Sequence, residues 1–165
     1  MSCYMQLNRC VNMTTTTQTS DRIEKTTVLR APQARVWSAL TDAAQFGAWF
    51  GITLNEAFAV GQTVQGEMTY RGERFTIDFA VERMDPEERF AYRWHPYAID
   101  PNKDYSTEPM TLVEFRLKSV PDGTELTVVE SGFDRIPTHR RDEAYRMNDG
   151  GWKSQIENLR RHVTG

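Results

Sequence analysis

Past residue 10 the chain has no cysteine: the 165-residue sequence holds two, Cys3 and Cys10, and both lie within its first twenty residues. A domain beginning near residue 21 can therefore use neither a disulfide nor a thiol nucleophile, which fits a reducing cytoplasm. Also missing is any stretch of about 18 consecutive apolar residues, so no transmembrane helix is expected. There is no surplus of positive charge either. Against 23 Asp+Glu stand 20 Lys+Arg, a formal net charge of -3, and that balance attracts neither phosphate backbones nor anionic lipid. His95, His139 and His162 lie far apart and share no metal-ligand spacing, so no metal or other cofactor is expected. The Gly-x-Ser-x-Gly elbow and the Gly-x-Gly-x-x-Gly phosphate turn do not occur.

The first twenty residues carry one charge, Arg9, have no apolar period, and run into the tract Thr14 to Thr17. A secretory signal needs a basic start and an unbroken apolar run, which Tyr4 to Arg9 interrupts. Residues 1–20 are expected to be a disordered extension or the product of a start placed too early, with Met13 the natural one. The folded domain is then residues 21–165, a size that buries enough surface for a core without staples.

In the remainder, periodicities divide the chain. Arg22 to Arg30 reads as a strand, stopped by Ala31-Pro32 at a helix start. Val36, Trp37 and Leu40 fall at helical spacing. Thr41-Asp42 is a cap for a second short helix that holds Phe46, Trp49 and Phe50 and ends at Gly51. Phe75, Ile77, Phe79 and Val81 then alternate with Thr76, Asp78, Ala80 and Glu82, placing four large apolar groups on one sheet face. Phe90, Tyr92 and Trp94 repeat the pattern, as do Val113, Phe115 and Leu117, then Leu126 and Val128. Turn signals at Arg71-Gly72, Asp85 to Glu88 and Pro121-Asp122-Gly123 join these runs into an antiparallel meander. One connection, His95 to Pro109, is long and has the length of a lid or binding loop.

The last element runs from about Thr138 to Val163, a helix with Tyr145, Trp152, Ile156, Leu159 and Val163 on one stripe against the sheet. Gly150-Gly151 interrupts it, each glycine costing about 1 kcal/mol relative to alanine. Either another backbone passes close there or the missing side chains leave a space. The Arg140-Arg141 and Arg160-Arg161 pairs, balanced by Asp142, Glu143, Asp149 and Glu157, read as a solvated helix face.

An order of strand, two short helices, six-stranded meander and long C-terminal helix is an α+β helix-grip arrangement: a curved antiparallel sheet of about seven strands wrapped around the helix. With it come Ala31 to Asp42, Trp49-Phe50, Asp85-Pro86, Tyr92-Arg93-Trp94, Gly123 to Val128, Glu130 to Phe133, and Gly151-Trp152 with Leu159. On these stretches, which span residues 22 to 163, the chain resembles the START-like, or SRPBCC, superfamily. Within it the resemblance is to the branch related to the C-terminal domain of the activator of the heat-shock-protein-90 ATPase. The resemblance implies a cavity between sheet and helix but no particular reaction, because one fold hosts many functions.

Inward-facing positions decide what such a cavity takes. They are Phe75, Phe79, Tyr92, Trp94 and Phe115 from strands and Tyr145 and Trp152 from the helix, with Trp49 from the second short helix. Aromatic walls suit flat or hydrocarbon ligands. These side chains equally well fill a core. Asn148, three residues after Tyr145 and four before Trp152, falls on the cavity stripe and can orient a ligand or cap a carbonyl. Glu130 follows Leu126 and Val128 in period two and should point inward, whereas Glu125 should face water; if buried, Glu130 is the candidate general acid or base. The leading expectation is a cytoplasmic domain that binds a small hydrophobic or aromatic molecule. Two alternatives stand beside it: a cyclase- or hydrolase-type enzyme using Glu130, and a co-chaperone-like interaction module. Neither nucleic acid, membrane nor the chaperone is the expected partner; a homodimer is left open.

Overall fold

The computed structural model describes residues 21–165; the expectations about residues 1–20, Cys3 and Cys10 included, lie outside them. Strand β1 (Arg22–Leu29) leads through Ala31-Pro32 into helix α1 (Gln33–Thr41). Pro32 precedes the first helical residue, where its missing N–H costs nothing. Helix α2 (Ala43–Phe50) starts at Asp42, whose carboxylate accepts from the Gln45 N–H at 3.1 Å, and ends at Gly51, which takes the left-handed conformation at φ 85°.

Five longer strands follow, joined by tight turns except for the long connection between the third and the fourth of them. A two-residue strand β2 (Thr53–Leu54) is followed by β3 (Thr63–Tyr70), β4 (Glu73–Asp85), β5 (Arg89–Trp94), β6 (Thr111–Val120) and β7 (Gly123–Ser131). One seven-stranded antiparallel sheet results, in the order β1-β7-β6-β5-β4-β3-β2, so β1 closes onto the last strand of the meander. The register skips a residue of β4 between Val81 and Arg83 opposite β5. Such a bulge bends the strand and increases its twist, which curves the sheet.

Helix α3 (Thr138–Thr164) crosses the concave face. Its buried residues Arg140, Ala144, Trp152, Ile156, Leu159 and Val163 recur every three or four positions, and Asn148 occupies the step between Ala144 and Trp152. Tyr145 falls one position off this stripe, about 100° around the helix. It turns to the β1 edge, where its ring meets Phe133 edge-on at 5.2 Å and its hydroxyl donates to the Arg22 carbonyl.

Helices α1 and α2 cover the other part of the concave face. Phe46 is the hub there, within 4.9–6.5 Å of the rings of Trp49, Phe50, Phe58, Phe79 and Tyr92. Trp49 is locked in this core by its indole N–H, which donates to the Ala39 carbonyl at 2.8 Å. No helix among the described residues is long and apolar enough to cross a membrane.

Candidate functional site

Glu130 ends the buried face of β7 and is completely shielded from solvent. Its carboxylate is surrounded by donors from three other elements. Oε1 accepts from the Trp152 indole at 2.8 Å and the Asn148 amide at 3.0 Å; Oε2 accepts from the Trp94 indole at 2.7 Å and the Thr111 hydroxyl at 2.6 Å. No cation among the described residues contributes. Burial pushes the Glu130 carboxyl above its usual range, and the hydrogen bonds from Thr111, Trp94, Trp152 and Asn148 pull it back part of the way. The two indole N–H groups can only donate, one to each oxygen, so the cage is built for a carboxylate that accepts on both. Tyr92 lies behind it, fully buried, with a hydroxyl that has no hydrogen-bond partner among the described residues. Burial, and then the Glu130 charge, push its pKa well up, so it stays a neutral phenol.

Three of the side chains that Glu130 holds form one wall of a cavity of about 380 Å³. Trp94 and Trp152 stack at 5.7 Å with 29° between their planes, and Asn148 stands beside them. The opposite wall comes from the sheet: Met68 and Tyr70 on β3, Phe75 and Ile77 on β4. His95 to Ile99, the start of the long β5–β6 connection, supplies Tyr97, Ala98 and Ile99. Gly150 and Gly151 complete the helical side. A Cβ on either would meet no atom within 4 Å, so the bare helix face opens on free space and is not pressed by another backbone.

The connection is pinned by a residue that the sequence placed on a solvated face. Arg140 is buried, because it stands four residues before Ala144 and eight before Asn148 on the inward stripe. Its Nε and Nη2 donate to Glu108 at 2.9 and 2.8 Å, Nη1 donates to the Pro96 carbonyl at 2.8 Å, and the guanidinium lies over the Tyr105 ring. Lys103 reaches the other Glu108 oxygen at 2.9 Å. Burial raises the Glu108 carboxyl, but the hydrogen bonds from Arg140 and Lys103 outweigh it and hold the group below its ordinary value of 4.5. The same latch keeps Tyr97 in the left-handed region at φ 50°, a conformation that costs a non-glycine residue about 1–2 kcal/mol.

Of the residues singled out for a ligand, Phe75, Trp94, Asn148 and Trp152 line this cavity. Phe79, Tyr92 and Phe115 face the same side of the sheet but are buried beneath α2 and α3, and Trp49 is held in the Phe46 cluster. Tyr145 points to the β1 edge for the reason given above. Glu130 stands behind the wall, not in it. Sequence reasoning did not reach Met68, Tyr97, Ile99 or Arg146, and only Arg140 had a usable signal, its spacing on the stripe. Among the described residues no group of three or more His, Cys, Asp or Glu side chains is placed to hold a metal ion.

A curved sheet gripping a long helix over an aromatic-walled cavity defines a helix-grip domain. The chain belongs to the family described as Activator of Hsp90 ATPase homolog 1-like protein, which matches residues 30–164. Solved structures share the fold at low identity. The Mesorhizobium loti protein MLL2253 is 22% identical, with a TM-score of 0.69 over 87% of this chain and 96% of that one. A Staphylococcus epidermidis protein is 16% identical, with a TM-score of 0.70 over 88% of this chain and 90% of that one. DynU16, from the dynemicin biosynthetic locus, is 23% identical, with a TM-score of 0.67 over 87% of this chain but 47% of that one. Among curated proteins, none matches the chain.

Proposed function

We propose that the domain binds a small hydrophobic or aromatic molecule between α3, the sheet and the 95–99 segment. The observation that carries this reading is the glycine pair. Two consecutive glycines in the middle of a 27-residue helix cost about 2 kcal/mol together relative to alanine, no packing among the described residues requires them, and, themselves exposed, they stand at the rim of the aromatic-walled cavity and leave it open. A volume of about 380 Å³ lies within the range of small-molecule sites, and the few polar groups on its walls can orient a ligand. Glu130 has its oxygens occupied by four donors, so its part in binding is to hold Trp94, Trp152 and Asn148 in place.

The test is a titration with the neutral fluorescent probe N-phenyl-1-naphthylamine. Saturable enhancement is expected for the native sequence and should vanish in Gly151→Leu, which puts a side chain into the open space while improving helix propensity. Enhancement of equal strength in both proteins would overturn the reading. Native mass spectrometry of protein purified from its own host then identifies what the cavity retains.

A further inference from the structure

Among the described residues that line the cavity, Arg146 is the one with a formal charge, and no carboxylate is among them. Its position on α3 makes this unusual. Asp142, Glu143 and Asp149 stand four before, three before and three after it, the spacings at which helical side chains pair. Yet Arg146 makes no hydrogen bond or ion pair with any of them among the described residues, and Asp149 is instead taken by Lys25 at 3.0 Å. The exposed guanidinium lies along the cavity, one turn before Gly150.

Resting on the binding function proposed above, we infer that the ligand is an acid: an apolar or aromatic body carrying one carboxylate or similar anionic group, which pairs with Arg146. A planar fork of donors suits such a group. Two other features fix its direction in the cavity. The Glu130 charge sits behind the Trp94–Trp152 wall and repels an anion at that end, leaving the indoles to the ring. Beyond His95 and Ala98 lies a polar cleft in which Asp78, Asp100 and Asp104 outnumber Arg74 and Lys103, and both of those cations are already paired, with Glu67 and Glu108, so the cleft does not compete with Arg146 for the anionic group.

Calorimetric titration at low salt with 2-naphthoate and its neutral isostere 2-naphthamide tests this. Naphthoate is expected to bind about five- to tenfold more tightly, the range of a partly screened charge-assisted pair. Arg146→Gln, a change at an exposed position, should bring the two probes within about twofold by weakening naphthoate alone. Gly151→Leu should abolish both. Equal affinities in the native protein, with both lost in Gly151→Leu, would overturn the acid preference and leave the cavity reading intact. A preference that survives in Arg146→Gln would overturn the role of Arg146. Binding of neither probe would overturn both readings.

Discussion

Glu130→Gln changes one oxygen of the buried carboxylate to an amide nitrogen and leaves shape and volume alone, yet the cage has no orientation that accepts it. Oε1 faces the Trp152 indole and Oε2 faces the Trp94 indole. Turned either way, the new NH2 meets an indole N–H, and neither group can accept. Thr111 can rotate its hydroxyl and Asn148 can turn its amide, so the loss reduces to one indole bond. A hydrogen bond to a charged group contributes about 1.5–3 kcal/mol, and the stranded indole N–H adds about 1–3 kcal/mol of unmet desolvation. Relief from burying a charge offsets part of this, which leaves a net destabilisation of about 2–4 kcal/mol. For a chain of this length that is a fall in Tm of roughly 4–16 °C. Guanidinium denaturation at pH 7 gives the free energy, and the near-UV circular dichroism of the stacked Trp94–Trp152 pair reports whether the wall has loosened. The pH dependence has a definite sign. Burial raises the Glu130 carboxyl in the folded state, so its contribution is fully present below its ordinary value of 4.5 and is lost as pH rises through the folded value. The stability difference between native and Glu130→Gln proteins should accordingly widen towards acid. A variant within about 0.5 kcal/mol of native at pH 7, the scatter of surface substitutions, would refute the ionised cage and leave Glu130 as a neutral acid donating to Thr111.

Other substitutions separate the parts of the site. Gly150→Ala and Gly151→Ala should each stabilise the fold by up to about 1 kcal/mol in chemical denaturation, since nothing stands in the way of a methyl group. Gly123→Ala should destabilise by at least about 2 kcal/mol: its φ is +140° and a Cβ would fall 2.2 Å from the Leu29 carbonyl oxygen. Glu108→Gln should raise hydrogen exchange across residues 96–108 without melting the sheet, because the latch joins the loop to α3 alone. Glu108 is held below its ordinary 4.5, so the latch is at full strength above that pH and weakens as pH falls through the lower folded value. Exchange in the loop should rise there before it does in β6 and β7.

What was legible in the sequence followed from strict periods. Phe75 to Val81, Phe90 to Trp94 and Val113 to Leu117 alternate because one sheet face is buried, and Asp42 and Gly51 bracket α2 by capping chemistry. Strand β3 left no such trace. Its inward positions include Gly66, which has no side chain because Ile52 would meet a Cβ at 2.6 Å, so the pattern breaks where packing is tightest. The inward face of Glu130 was readable from period two; that its partners would be two indoles, a hydroxyl and an amide was not, since β5, β6 and α3 converge there only in the fold. Period two likewise cannot tell a wall residue such as Phe75 from a core residue such as Phe79. Both face inward, and what separates them is the position of α2, which covers one and stops short of the other.

Rigidity and vacancy are produced here by different residues, and that division explains the polar content of the helix. An apolar side chain at position 130 would leave two indole N–H groups unpaired in the core, so the wall needs an acceptor at its back. An arginine at position 140 needs an anion, and Glu108 supplies it from a connection that has no regular structure of its own. With the wall and the loop each held by charge-assisted hydrogen bonds, the segment between them, Gly150-Gly151, is free to carry no side chains at all. Filling that segment is the change that should stabilise the protein and abolish binding together, whereas loosening Glu130 or Arg140 should cost both. Opposite couplings of stability to affinity at neighbouring positions of one helix are what a cavity maintained for a ligand requires; a mere packing defect would show stability rising with no loss of affinity.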